Sequence, residues 1–139
     1  MNGREKNMSK FRLKERVALI TGSTRGIGWE IAKGMAEAGA SVYINGRVKE
    51  VLDGRCQELM DLGYDAKPAF FDATDVKAVE RFLSYVATPV DILVNNAAIR
   101  LRKPINEISP KAFSEVVEAN LSSFMQFPGA LRRGFRRKI

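Results

Sequence analysis

Thr21-Gly22-Ser23-Thr24-Arg25-Gly26-Ile27-Gly28 spaces three glycines as G-x-x-x-G-x-G directly after a short apolar run. Residues of these types, in this order, can cradle an anion. Glycines at 22, 26 and 28 let the backbone turn sharply and come close to a pyrophosphate, with Ser23, Thr24, Arg25 and Ile27 filling the turn. Free N–H groups and the positive end of the following helix then attract the negative charge. A tight strand–helix turn with no ligand would also use glycines, but the strand before it and the amphipathic stretch after it are the context a dinucleotide turn needs.

A second cluster lies about 20 residues on, where a dinucleotide fold places the group that meets the ribose. An NAD site usually has a carboxylate there. This sequence has Asn45-Gly46-Arg47 instead, and Arg25 stands within the turn itself. Two guanidinium groups suit a 2′-phosphate, so the residues favour NADP over NAD; solvated surface arginines are the competing account. Asn95-Asn96-Ala97-Ala98 ends a third candidate segment, where asparagine amides either meet a cofactor or tie neighbouring strands together. Asn120 interrupts an apolar helical stripe of Phe113, Val116, Val117 and Phe124. A polar group there needs partners, either backbone or water, or it orients something catalytic.

These residues need elements to hold them, and the pattern supplies strands alternating with helices. Arg16–Ile20, Ser41–Ile44, Ala69–Phe71 and Asp91–Val94 read as strands. Between them lie helical stretches: one with Ile27, Ile31 and Met35 ending at Gly39, one with Leu52, Leu59 and Leu62 stopped by Gly63, and one from Asp75 to Val86 with Val79, Phe82 and Val86 inward. Ser109-Pro110 starts a last helix carrying Phe113, Val116, Val117, Leu121 and Phe124, which Pro128-Gly129 should break. The expected fold is α/β, a Rossmann-type doubly wound parallel sheet of about four strands whose second half is missing. Residues 1–12 form a basic N-terminal tail, and residues 13–139 a partial dinucleotide-binding domain.

Composition narrows the rest. With 45% apolar and 28% charged residues, the 139-residue chain can bury a core under a solvated surface. One cysteine, Cys56, makes an intramolecular disulfide impossible and fits a reducing, cytoplasmic setting. Having no histidine excludes His-based catalysis and argues against a zinc site, so no metal is expected. No apolar run approaches the ~20 residues needed to cross a bilayer. The net charge of +7 collects at the two ends, around Arg4 to Arg16 and Arg132 to Lys138, without the interleaved aromatics that stack bases. Neither membrane nor nucleic acid is the expected partner. An exposed edge on the fourth strand would instead favour homo-oligomers or aggregation.

Taken together, T-G-x-x-x-G-I-G at Thr21–Gly28, Asn95 to Ala98, and Asn120-Leu121 resemble the short-chain dehydrogenase/reductase family over nearly the whole chain, from about Leu13. Within it, Ile44–Arg47 and Asn95–Arg100 look similar to gluconate 5-dehydrogenase-type members. The resemblance implies that Gly22, Gly26, Ile27 and Gly28 wrap a pyrophosphate, and that Arg25 and Arg47 hold the 2′-phosphate. It implies adenine contact at Asp72 and the adjoining Ala73, and ribose contact at Asn95 and its neighbours, Ala97 included. It gives Asn120 a catalytic part, holding a water in a proton relay. The activity implied is NADP-dependent hydride transfer to or from an alcohol or ketone, such as a sugar acid.

The sequence departs from the family at its chemistry. Four residues after Tyr43, Tyr64 and Tyr85 stand Arg47, Pro68 and Pro89, so the family's Tyr-x-x-x-Lys is absent, as is its active-site serine. Ala98 replaces a usual glycine; its methyl either crowds the nicotinamide ribose or is harmless. The expectation is therefore a C-terminally truncated member, inactive alone, or else a non-catalytic nucleotide-binding module completed by a partner chain.

Overall fold

A computed structural model describes residues 12–131, with side chains of the last helix described through Leu121. The basic tail before Arg12, the cluster from Arg132 onward and the Phe124 side chain lie outside the described residues. Four parallel strands form one sheet in the order β3-β2-β1-β4: β1 Val17–Ile20, β2 Ser41–Gly46, β3 Ala66–Phe70 and β4 Ile92–Val94. Among the described residues four α-helices connect or follow them: α1 Gly26–Glu37, α2 Lys49–Asp61, α3 Val76–Tyr85 and α4 Pro110–Leu131, the last preceded by a 3-10 turn at Ile105–Glu107. Every pairing is parallel, with Leu19 beside Tyr43 on one side and Leu93 on the other.

Alternation along β1 divides the core in two, because successive side chains leave opposite faces of a strand. Ala18 and Ile20 join Val42, Ile44, Trp29, Ala32, Leu52, Cys56 and Leu59 under α1 and α2. Val17 and Leu19 join Tyr43, Ala69, Phe71, Val79, Phe82 and Val90 under α3. Phe82 anchors the second cluster edge-on to Tyr43, with ring centroids 5.5 Å apart. All four residues of β1 are buried, as a continuous apolar run at the centre of a two-faced sheet requires. Asp91 sets the register of β4 by accepting from the Val17 N–H at 2.9 Å while its own N–H bonds the Val17 carbonyl.

Several helix faces differ from the expected ones. α1 buries Gly28, Trp29, Ala32 and Ala36, whereas Ile27 is 68% exposed and Ile31 and Met35 only flank the core. Small residues let the helix approach the sheet closely, and that moves the buried stripe one position round. Leu62 is exposed after the end of α2, and Cys56 takes the inward place between Leu52 and Leu59. β3 begins earlier than expected, at Ala66, because its pairing with β2 runs from Val42–Ala66 to Gly46–Phe70. α4 continues through Pro128 and Gly129 to Leu131. A proline inside a helix removes one N–H donor, and here that loss does not end the helix. Phe113, Val117 and Leu121 are exposed instead of forming core. An apolar stripe is buried only by an element opposite it, and α3 is the one described element with which α4 makes extensive contact.

Candidate cofactor site

The strand order reverses direction between β1 and β4, and the carboxyl ends of these strands open onto the crevice where such sheets bind ligands. The glycine turn spans that crevice. Gly22 and Gly26 have φ of +61° and +58°, in the left-handed region that side chains disfavour. Gly28 is required for a different reason: a Cβ there would stand 2.4 Å from Asn96 Nδ2 and 2.7 Å from the Gly22 carbonyl oxygen.

Two asparagines hold the turn from opposite sides. Asn45, on β2, accepts from the Gly22 N–H at 2.9 Å and donates to the carbonyls of Ala69 and Phe71 at 2.9 and 3.0 Å. Its backbone N–H bonds Ser23 Oγ, and its carbonyl accepts the Ser23 N–H. Ser23 Oγ in turn donates to the Ile20 carbonyl at 2.7 Å. Asn96, beyond β4, donates through Nδ2 to the carbonyls of Thr21 and Gly22 at 2.9 and 3.1 Å. Thr21 Oγ1 completes the tie, accepting from the N–H groups of Asn96 and Ala97 at 2.9 Å each. The buried Asn45 and Ser23 side chains thus act on the protein, at the base of the turn. Thr21 and Asn96 belong to this scaffold as well. For Asn96 the sequence offered this tie as one of two roles, and for Thr21 it offered only a polar side chain at a strand end.

Above this scaffold the N-terminus of α1 is bare. Arg25 occupies the N-cap with no side-chain cap bond, and the first turn has no acidic residue. The first backbone bond onto the cap is Trp29 N–H to the Arg25 carbonyl, so the N–H groups of Gly26, Ile27 and Gly28 precede the helical ladder. A positive helix end with free donors, glycine backbone and no acidic residue in its first turn is chemically fit for a pyrophosphate.

Arg25 and Arg47 are both exposed, on adjoining segments joined by the Ser23–Asn45 bonds. Arg47 Nη1 lies 3.5 Å from Asp72 Oδ2, and Asp72 Oδ1 accepts from the Thr74 N–H and hydroxyl at 2.9 and 2.7 Å. Partial burial would raise the Asp72 pKa, but the Thr74 bonds and the Arg47 charge together hold it below the usual carboxylate range. Ala73 is buried beside it, in the α3 core. Asn95 and Ala98 are exposed at the crevice, and Ala97 lies under the turn, its Cα 3.0 Å from where a Gly22 Cβ would be.

Asn120 is engaged at both ends of its amide: Oδ1 accepts from the Ile99 N–H at 2.9 Å and Nδ2 donates to the Ile99 carbonyl at 3.0 Å. It pins α4 to the segment after β4. Tyr43 is buried and its pKa is raised, chiefly by that burial, with Lys67 opposing and Asp65 adding to the effect. A general base needs the opposite shift. Among the described residues no cluster of three metal-ligating side chains occurs, and no helix is long and apolar enough to cross a membrane.

Parallel α/β topology, a glycine turn at the switch point and a bare helix N-terminus define a dinucleotide-binding fold. The short chain dehydrogenase family model matches residues 16–137. The chain belongs to the short-chain dehydrogenase family. It is 40% identical over 120 residues to gluconate 5-dehydrogenase of Gluconobacter oxydans, covering 81% of this chain and 45% of that protein. Human L-xylulose reductase is 35% identical over 122 residues, covering 88% of this chain and 48% of the reductase. The crystal structure of a gluconate 5-dehydrogenase from Burkholderia cenocepacia in complex with NADP and tartrate superposes with a TM-score of 0.81 at 37% identity, covering 91% of this chain and 51% of that one. The chain spans about half the length of the curated relatives it matches.

Proposed function

We propose that this chain is the cofactor-holding part of an NADP-dependent oxidoreductase that exchanges hydride with an alcohol or ketone of the sugar-acid class. The observation that carries it is the uncapped, acid-free N-terminus of α1 over a glycine turn pinned by Asn45 and Asn96. Gly22, Gly26, Ile27 and Gly28 hold the pyrophosphate, and Arg25 and Arg47 the 2′-phosphate. Asp72, Ala73, Asn95 and Ala97 border the adenosine and ribose. The NADP named with the Burkholderia gluconate 5-dehydrogenase supports the choice of cofactor, and the relatives' names support the substrate class. When bound, the nicotinamide supplies the hydride chemistry. Asn120 positions the segment after β4, and with no Tyr-x-x-x-Lys in the sequence this chain alone is expected not to carry out the proton transfer. A cytoplasmic setting accords with a single buried thiol.

Calorimetric titration of the 139-residue chain with NADP and NAD tests the proposal. NADP should bind at least about tenfold tighter. Arg47→Ala or Arg25→Ala should each weaken NADP by about tenfold, the worth of one charge-assisted contact of ~1.5 kcal/mol, and leave NAD unchanged. The same preparation should reduce no ketone. Equal affinities, or no binding, would overturn the assignment.

A second reading, a nucleotide-binding module completed by another chain, is favoured by the three half-buried residues of edge strand β4 and by the exposed Phe113 and Leu121 on α4. Sedimentation that finds only monomer up to high concentration would count against self-association through these surfaces.

A further inference from the structure

Arg55 belongs to none of the motifs described above, yet it reaches the glycine turn from α2. Its Nε–H donates to the Thr24 carbonyl at 3.0 Å, and Nη1 bonds Glu58 Oε2 at 2.7 Å. Its guanidinium lies over the face of Trp29 on α1, 4.7 Å from the ring centroid. Three contacts from three directions immobilise a side chain that would otherwise sample many rotamers. Planarity lets one guanidinium stack and donate at the same time.

The bond to Thr24 orients the next peptide group. The Thr24–Arg25 peptide is trans, so the Thr24 carbonyl and the Arg25 N–H point in opposite directions. With the carbonyl drawn toward α2, the Arg25 N–H points away from it and finds no acceptor among the described residues. Thr24 meanwhile packs against the end of β2: a Cβ on Gly46 would stand 2.6 Å from Thr24 Cγ2. The Thr24–Arg25 segment is therefore held against the residue that precedes Arg47.

We propose that Arg55 is a positioning residue for nucleotide discrimination, locking the Thr24–Arg25 peptide so that the Arg25 N–H and guanidinium meet a ribose phosphate beside Arg47. The inference rests on the NADP reading above. Arg55 does not itself touch the nucleotide. The pyrophosphate donors of Gly26 to Gly28 are set by α1 and the two asparagines, so NAD affinity is independent of Arg55 whereas NADP affinity is not.

The test is titration of wild type, Arg55→Met and Arg55→Lys with NADP and NAD, with folding checked by circular dichroism. Methionine keeps an apolar stem against Trp29 and removes the donor and the charge. The NADP dissociation constant of R55M should rise about tenfold while that of NAD stays within twofold. R55K, which retains the charge and donors on a single nitrogen but not the planar stack, should lose two- to fourfold in the NADP/NAD ratio. If R55M does not fold, the R55K ratio decides alone. An unchanged ratio, or a parallel loss of both nucleotides, overturns the proposal. Wild type that fails to prefer NADP brings down the NADP reading and this inference with it, and is told apart because the failure precedes any substitution.

Discussion

Every polar atom of Asn45 is used, and the residue is only 2% exposed. Truncation to alanine leaves the Gly22 N–H without its partner and strips one donor from each of two buried carbonyls. Unsatisfied groups of this kind cost 1–3 kcal/mol apiece, so Asn45→Ala should lower unfolding stability by about 2–4 kcal/mol in urea titrations. A loss below ~1 kcal/mol would mean that water replaces the amide. From the sequence Asn45 is a candidate ribose contact, because its strand-end place is visible. The hydrogen bonds to Ala69 and Phe71 are not visible, since the pairing of β2 with β3 creates them. Asn120 follows the same logic: an amide on an apolar stripe demands a partner, and only the fold names it as the Ile99 backbone.

At the scale of the element, α4 is the instructive case. Its Ser109-Pro110 start holds, with Ser109 Oγ accepting from the Ala112 N–H at 3.2 Å, because capping is local chemistry. Its apolar stripe was legible too, but whether a stripe is covered depends on what stands opposite. With Phe113 and Leu121 each 61% exposed, Phe113→Ser and Leu121→Ser should each change the stability of this chain by no more than about 0.5 kcal/mol. Leu59→Ala, at a fully buried site on α2, should cost about 2–5 kcal/mol. Thermal and urea unfolding of the three variants checks the contrast. Losses of several kcal/mol at Phe113 or Leu121 would show that the stripe is covered in solution.

At the largest scale, the described residues form a four-stranded sheet with a core on each face, and the pH response reflects what those cores hold. Burial against Leu52, Leu59 and the sheet pushes the Cys56 thiol from 9.0 up to about 11, with Asp53 adding to the shift. A thiol whose folded pKa is raised keeps its proton where the unfolded chain would lose it. The resulting stability is full below about pH 9 and disappears as pH rises through about 11. Unfolding free energy should therefore fall over that window, and Cys56→Ala should flatten the slope between pH 9 and 10 whatever its effect at neutrality. Tyr43 adds a loss of the same sign at higher pH. An unaltered slope in the variant would assign the alkaline loss to other groups.

The amino-acid sequence by itself determined the alternation of strands and helices, the glycine turn and the missing carboxylate after β2. Each of these is written in local residue types: buried runs, capping pairs, glycines at φ-demanding positions, and arginines in place of an acid. Tertiary structure alone decided which polar groups are spent on the protein and which stay exposed, because that depends on partners distant in the chain. It gave Asn45 and Ser23 partners at the base of the turn, took the strand-tying alternative for the Asn96 amide, turned the inward face of α1 from Ile27 to Trp29, and brought Arg55 against Thr24 across 31 positions. Periodicity reports that a residue needs burial or a bond, and only packing supplies the neighbour that provides it.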